Sequence, residues 1–301
     1  MINYKRVENF GNKIVPNPIT GPCKYAVSFL RYAEKLRIAK KEYQIHGDAY
    51  SNHILFVAGL PKSGTTWLEN MLASYPGYTK NMLPEVIKFE YKNRGTHFLE
   101  IRKEWFRELS ETLTVLKLHC YGSLNNKLIL QELNLPYIII FRDLRDVAVS
   151  HTFYVKNTWH HPEHSDYKDL SIQEGLEHFS RTLLPGFKKW IYSWFEEENN
   201  THSLFIRYED LKNQTFEIMK KVVAHYDLPD DNQLLKEIIE SNSFKAKTGG
   251  RERGEENSSS FYRKGSSGDW KNHFTNELKE KFKKEIGKLL IELNYESDYN
   301  W

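Results

Sequence analysis

The run Gly59-Leu60-Pro61-Lys62-Ser63-Gly64-Thr65-Thr66 carries the first recognisable chemistry in this chain. It follows Ile54–Ala58 (ILFVA), a short apolar run of strand formers, and leads into Trp67-Leu-Glu-Asn-Met-Leu-Ala, a helical pattern. A strand, a glycine turn and a helix start in that order place unpaired backbone N–H groups and the positive end of a helix dipole at one point, which suits an anion. Gly64 allows close backbone approach to a phosphate, Ser63, Thr65 and Thr66 add hydroxyl donors, and Lys62 adds a point charge. Gly, Ser and Thr are common in ordinary turns, but Lys-Ser-Gly-Thr-Thr directly after a strand points to a phosphate cradle. The run is not the nucleoside-triphosphate form G-x-x-x-x-G-K-[ST]. Thr65 follows Gly64 where that pattern needs lysine, and the lysine stands two residues before the glycine. No obvious acidic residue for magnesium follows a second strand, so a kinase or ATPase is disfavoured.

Three more polar residues follow apolar runs. Val115–Leu118 leads into His119 with Lys117 two residues earlier, Tyr137–Phe141 into Arg142, and Leu204–Arg207 into Tyr208. The runs do not alternate and are separated by amphipathic stretches at 172–198 and 214–226, the pattern of a parallel sheet covered on both faces. An α/β fold is expected, with a central parallel sheet flanked by helices. In such sheets sites lie at the C-terminal strand ends, where Lys62, His119, Arg142 and Tyr208 would all fall. A lone histidine is more often a satisfied core residue, but His119 after a strand and beside Lys117 is a better base, its ordinary pKa near ~6.5 suiting proton removal from a hydroxyl. Tyr208 and Trp67 could equally be core, and Arg145 is expected at the surface.

The periphery is less informative. Residues 1–22 hold Pro16, Pro18, Gly21 and Pro22 and are expected to form an irregular arm. Residues 24–46 have helical spacing, with Val27, Leu30, Ala33, Leu36 and Ala39 on one face. The Gly/Ser-rich, charged stretch 249–268 is expected to be a mobile loop, and the Lys/Glu-rich stretch 276–294 an amphipathic helix with a solvated outer face. No internal repeat is present.

Composition sets the outer bounds. The chain has 301 residues, 43 Lys plus Arg against 40 Asp plus Glu, a net charge of +3 and 40% apolar residues. That apolar share excludes a wholly disordered chain and allows a sizeable core. A pI of about 8.5 argues against a general nucleic-acid binder, whose domain would usually exceed ~9. The two cysteines, Cys23 and Cys120, cannot make a disulfide framework or a zinc site alone. No apolar run approaches the ~18 residues of a membrane span, and MINYKRVENF has no secretory apolar region. A soluble, cytoplasmic protein with reduced thiols is expected.

Three segments give a specific resemblance. LPKSGTTWL resembles the 5′-phosphosulfate loop of the cytosolic sulfotransferases, FRDLRDVAVS (141–150) is similar to their 3′-phosphate segment, and RKGSSGDWKNHFT (263–275) resembles their C-terminal signature R-K-G-x-x-G-D-W-K-x-x-F-T. They occur in the family's order and frame residues 50–275. The resemblance implies one domain over 1–301 with a P-loop-like loop, and 3′-phosphoadenosine 5′-phosphosulfate as donor, leaving adenosine 3′,5′-bisphosphate and needing no metal. Lys62, Ser63, Gly64, Thr65, Thr66 and Trp67 would hold the 5′-phosphate end, with Trp67 near the adenine. Arg142 and Ser150 would bind the 3′-phosphate, Tyr208 and Phe244 would contact the adenine, and Arg263, Lys264 and Gly265, in the 249–268 loop, would close over the 3′-phosphate. His119 falls at the family's catalytic base, and Lys117 matches a lysine that assists transfer. Independently of the resemblance, a nucleotide phosphorylated at both ends needs two separated anion sites, and a glycine loop plus an Arg/Lys-rich second set supplies them.

The sequence also departs from the pattern. The family's dimer motif K-x-x-x-T-V-x-x-x-E is matched by Lys271, Thr275 and Glu280, but Asn276 replaces its valine, which puts a homodimer of that kind in doubt. Asp143 stands where the family often has asparagine. The expected acceptor is a small molecule bearing a hydroxyl or amine, with Phe89, Tyr91, Phe153, Tyr154 and Trp159 as candidate pocket residues, many of which must be core instead, and the His160, His161, His164 loop as its rim or a solvated loop; metal binding by that loop lacks an acidic partner at a recognisable spacing. A P-loop-type phosphotransferase, a catalytically silent nucleotide-binding relative and a membrane-bound sulfotransferase acting on glycans or proteins are the alternatives. The displaced lysine argues against the first, the presence of His119, Lys62 and Lys117 against the second, and the RKGxxGDW signature against the third.

Overall fold

The computed structural model describes residues 17–198 and 200–301, so the first sixteen residues of the expected N-terminal arm lie outside it. Residues 17–22, expected to be irregular, open a helix that runs Asn17–His46. Pro18 falls in its first turn, where a missing N–H costs nothing. The inner face of this helix is also rotated from the expected one. Ser28, Tyr32 and Ala39 are buried, whereas Leu30 is 60% exposed. Ser28, Tyr32 and Lys35 turn toward a polar cavity, so apolarity does not mark the inner face here.

The sheet has five strands, β1 (Ile54–Gly59), β2 (Thr79–Asn81), β3 (Thr114–Leu118), β4 (Tyr137–Phe141) and β5 (Ser203–Arg207). Their order is β2-β3-β1-β4-β5, and each neighbouring pair is parallel. Four were expected; β2 is a Thr-Lys-Asn edge strand with no apolar run to reveal it. All six residues of β1 are buried, because both faces of the sheet are covered. Phe56, Ala58, Ile139 and Phe141 face a core with Trp190, Trp194, Phe282 and Ile286. Leu55, Val57, Ile138 and Ile140 face a second core with Leu68, Leu72, Met219 and Val222. The lack of alternation in these strands follows directly. The Lys/Glu-rich helix Asn276–Glu292 buries Leu278, Phe282, Ile286, Leu289 and Leu290, so only its outer face is solvated.

Arg145, expected at the surface, is 2% exposed. Its guanidinium donates to Asp143 at 3.0 and 2.7 Å and to Glu296 at 2.5 Å. It lies 4.0 Å from the ring centroid of Trp270 and 4.4 Å from that of Trp301. A planar cation between two aromatic faces can be buried because every donor edge meets a carboxylate. This arginine ties the end of β4 to the C-terminal segment.

Candidate active site

The ends of β1, β3, β4 and β5 open into one cavity of about 810 Å³. Beyond Gly59 the chain turns at Leu60–Ser63, with the Ser63 N–H donating to the Leu60 carbonyl at 3.3 Å. Pro61 presets the entry to this turn, and Lys62 occupies its third position with φ +65°. A turn of that shape prefers glycine there, and left-handed backbone at a non-glycine residue is strain that concentrates at functional sites. Gly64, with φ +77°, then caps the helix Thr65–Leu72. A Cβ on Gly64 would meet the Tyr208 ring at 2.6 Å, so glycine is required for both conformation and space. The Gly64 carbonyl accepts from Trp67 and Leu68, leaving the Thr65 and Thr66 N–H groups as donors at the helix start.

Three buried polar atoms around this loop have no hydrogen-bond partner among the described residues: Ser63 Oγ, Trp67 Nε1 and Arg142 Nε. Buried donors of that kind are costly unless a ligand meets them. Arg142 lies 4.4 Å from the Tyr208 ring centroid, donates to the Ser266 carbonyl at 2.7 Å and to Asp146 at 3.2 Å. Asp146 also accepts from the backbone of Gly268 and Trp270 at 2.7 and 3.1 Å. One carboxylate therefore holds Arg142 and the C-terminal loop together. In that loop Arg263 and Lys264 both donate to Asp269, and Gly265 at φ +65° lies where a Cβ would meet the Phe244 ring at 2.6 Å. Burial raises the Asp269 carboxyl, but hydrogen bonds from His273, Lys264, Arg263 and Asn272 hold it well below the usual carboxylate range.

On the other side of the loop, His119 Nδ1 meets the Gly59 carbonyl. A carbonyl only accepts, so Nδ1 carries the proton and Nε2 is left as an acceptor. Burial, then the Lys117 charge, pushes this imidazole down to about 3. Lys62 is pushed down to about 7 by burial and then by Arg142, Lys117 and Arg263; its ammonium lies 3.6 Å from the Tyr154 ring centroid.

The cavity wall brings together every residue named from the sequence for catalysis or nucleotide binding except Ser63, which lies buried behind it. Of the aromatics expected around an acceptor, Tyr91 and Tyr154 line the wall. Phe89 instead packs on the core, and Phe153 lies under the Arg263 guanidinium at 4.5 Å. His160 and His161 line the wall, whereas His164 Nδ1 is turned to the Val155 carbonyl at 2.9 Å. Among the described residues no group of three or more His, Cys, Asp or Glu side chains could hold a metal ion, and no helix is long and apolar enough to cross a membrane.

A cavity walled by Lys62, Lys117, Arg142, Arg263 and Lys264 beside an acceptor imidazole fits transfer of an anionic group. Residues 52–294 match the family model of the sulfotransferase domain. The chain belongs to the sulfotransferase family. Human sulfotransferase 1E1 is 30% identical over 247 residues, covering 76% of this chain and 81% of the relative. A flavonol sulfotransferase-like protein from Flaveria bidentis is 28% identical over 257 residues, 76% of this chain and 79% of the relative. Among solved structures, mouse sulfotransferase SULT7A1 complexed with PAP shares the fold with a TM-score of 0.59 at 22% identity, over 86% of this chain and 95% of that one. Retinol dehydratase in complex with androsterone and inactive cofactor PAP does so with a TM-score of 0.55 at 18% identity, over 83% and 85%.

As a sulfotransferase, the chain transfers a sulfuryl group, and its cavity has lining residues that sequence reasoning did not single out. Lys80, Lys247 and Arg253 add cations to the wall, and His97, His151 and Glu163 add further polar groups. Glu163 lies within the His160–His164 loop, Arg253 within the 249–268 stretch and His151 directly after the 141–150 segment, but nothing in their spacing marks them. Only folding brings them to the cavity.

Proposed function

We propose that this sulfotransferase moves the sulfuryl group of 3′-phosphoadenosine 5′-phosphosulfate to the hydroxyl or amine of a small-molecule acceptor, with His119 as general base. The observation that carries this reading is the pair of buried donors that make no hydrogen bond, Ser63 Oγ in the glycine loop and Arg142 Nε just after β4, beside a cavity walled by Lys62, Lys117, Arg142, Arg263 and Lys264. Lys62, Ser63, Gly64, Thr65 and Thr66 would hold the 5′-phosphate end, with Trp67 beside the nucleoside. Arg142, Ser150, Arg263, Lys264 and Gly265 would hold the 3′-phosphate, and Tyr208 and Phe244 the adenine. The donor supplies an electrophilic sulfur with a phosphate leaving group.

The acceptor oxygen or nitrogen forms its bond to sulfur while the sulfur–oxygen bond to the 5′-phosphate breaks, its electron pair staying on the phosphate oxygen. The acceptor proton passes to Nε2 of His119, which the Nδ1 contact with Gly59 keeps in the accepting tautomer. With its pKa pushed down to about 3, His119 is neutral at physiological pH and able to accept. Negative charge brought by the nucleotide favours the imidazolium that then forms. Lys62 would neutralise charge growing on the bridging oxygen, and Lys117 that on the sulfuryl oxygens. Positioning and fixed charge carry such a transfer. The same donor set supports adenosine 3′,5′-bisphosphate as the product that leaves. Thermal unfolding with that bisphosphate, set against ATP with magnesium, tests the reading: a larger stabilisation by the bisphosphate is expected, and a preference for ATP would reject it.

A further inference from the structure

One arginine ties the stretch 249–268 to itself. Arg251 donates to the carbonyls of Glu255 and Arg263 at 3.0 Å each, to that of Tyr262 at 2.6 Å and to Ser260 Oγ at 3.1 Å. The backbone N–H of Gly254 donates to the Lys264 carbonyl at 2.8 Å, and that of Asn257 to the Arg263 carbonyl at 2.9 Å. Residues 254–257 therefore run alongside Arg263 and Lys264, and Glu256 is held against both cations. Its carboxylate accepts from Arg263 Nη1 at 2.7 Å and lies 3.8 Å from Lys264 Nζ. Arg263 Nη2 donates to Asp269, as does Lys264 at 2.6 Å.

Both cations assigned to the 3′-phosphate thus already face carboxylates, and the two carboxylates are not equivalent. The Asp269 side chain is 2% exposed and also accepts from Asn272 at 2.9 Å. Displacing it would strand a buried charge, which is strongly unfavourable. The Glu256 side chain is 35% exposed, so water can replace its partner at little cost. A phosphate and a carboxylate seek the same guanidinium edge, and two anions on that edge repel. A 3′-phosphate must therefore push Glu256 aside, whereas a nucleotide without that phosphate need not.

We propose, on the reading that Arg263 and Lys264 meet the 3′-phosphate, that Glu256 is a built-in competitor for that phosphate. Its carboxylate holds Arg263 and Lys264 in the free protein and takes them back as the bisphosphate product leaves. It lowers affinity at the 3′ end and speeds release, the reverse of what a supporting residue would do.

The test compares adenosine 3′,5′-bisphosphate with adenosine 5′-monophosphate, which lacks the 3′-phosphate, by calorimetric titration of the native protein and Glu256→Gln. Glutamine keeps the length and an oxygen for Arg263 but loses the charge. The variant should bind the bisphosphate about fivefold more tightly, the upper worth of a partly exposed ion pair. Its affinity for the monophosphate should stay within about twofold of native. Release of labelled bisphosphate, chased with unlabelled ligand, should slow by about the same fivefold. Glu256→Ala should shift binding and release in the same direction, and it stands in for Glu256→Gln if that variant does not fold. Bisphosphate affinity that is unchanged or weaker without the charge, or an equal gain for the monophosphate, overturns the inference and leaves the transfer reading intact. If the native protein binds the bisphosphate no more tightly than the monophosphate, the 3′-phosphate assignment itself fails, and the role of Glu256 fails with it.

Discussion

Lys62 offers a quantitative handle on the anion site. In the free protein its pKa is pushed down to about 7 by burial and by the cations of Arg142, Lys117 and Arg263. The charged form, which an anionic nucleotide requires, is therefore lost as pH rises through 7. A bound bisphosphate offsets the neighbouring cations and returns Lys62 toward its ordinary, much higher value, so binding takes up a proton at alkaline pH. With a free-protein pKa of about 7, the charged fraction is roughly 0.9 at pH 6 and roughly 0.1 at pH 8, and affinity for adenosine 3′,5′-bisphosphate should fall about tenfold across that interval. The phosphates of the ligand also titrate near pH ~6 and would pull the other way, so the reference is Lys62→Arg, whose guanidinium does not deprotonate. Calorimetric titration of both proteins at pH 6, 7 and 8 cancels every shared ionisation. The dissociation constant of the native protein relative to Lys62→Arg should rise about tenfold from pH 6 to pH 8. A ratio constant within about twofold would refute the argument that cation crowding and burial lower this lysine.

Two further perturbations address the 3′ end and its support. Arg142→Ala removes a guanidinium that lines the cavity and is shared with Asp146 and Ser266; it should weaken bisphosphate binding by about 10- to 100-fold, the range for a charge-assisted contact, and an unchanged dissociation constant by calorimetry would move the 3′-phosphate elsewhere. Arg145→Met breaks the buried pairing with Asp143 and Glu296 and leaves a carboxylate unpaired; denaturant unfolding should show a loss of about 3–5 kcal/mol, and a loss under about 1 kcal/mol would mean that Asp143 is satisfied without it.

Much of this site is legible in the sequence because its key residues follow apolar runs. Ile54–Ala58, Val115–Leu118, Tyr137–Phe141 and Leu204–Arg207 announce strands, and the residues after each meet at one sheet edge because parallel strands all end there. What the sequence conceals has physical causes. The Thr79–Asn81 strand is a three-residue polar edge without a hydrophobic run. Arg145 belongs by composition to a charged surface stretch, and its burial depends on Trp270, Glu296 and Trp301, more than a hundred residues away. The long N-terminal helix turns a polar face to the cavity, so its apolar residues misplace its inner side. His97, His151 and Glu163 lie on segments with no shared spacing and meet only through the packing of the cavity wall.

The central claim is that the strand-end cavity binds a nucleotide phosphorylated at both ends and lets His119 take the acceptor proton. The most direct measurement is single-turnover sulfuryl transfer from labelled donor to a simple phenol, in the native protein and in His119→Ala, with bisphosphate affinity measured on both. The account predicts transfer by the native protein, a loss of about 10²- to 10⁴-fold in the variant, and bisphosphate affinity retained within about threefold, since the proposed nucleotide contacts are on the glycine loop and the Arg142 side. Transfer by His119→Ala at the native rate, or no transfer by the native protein despite tight bisphosphate binding, would contradict it.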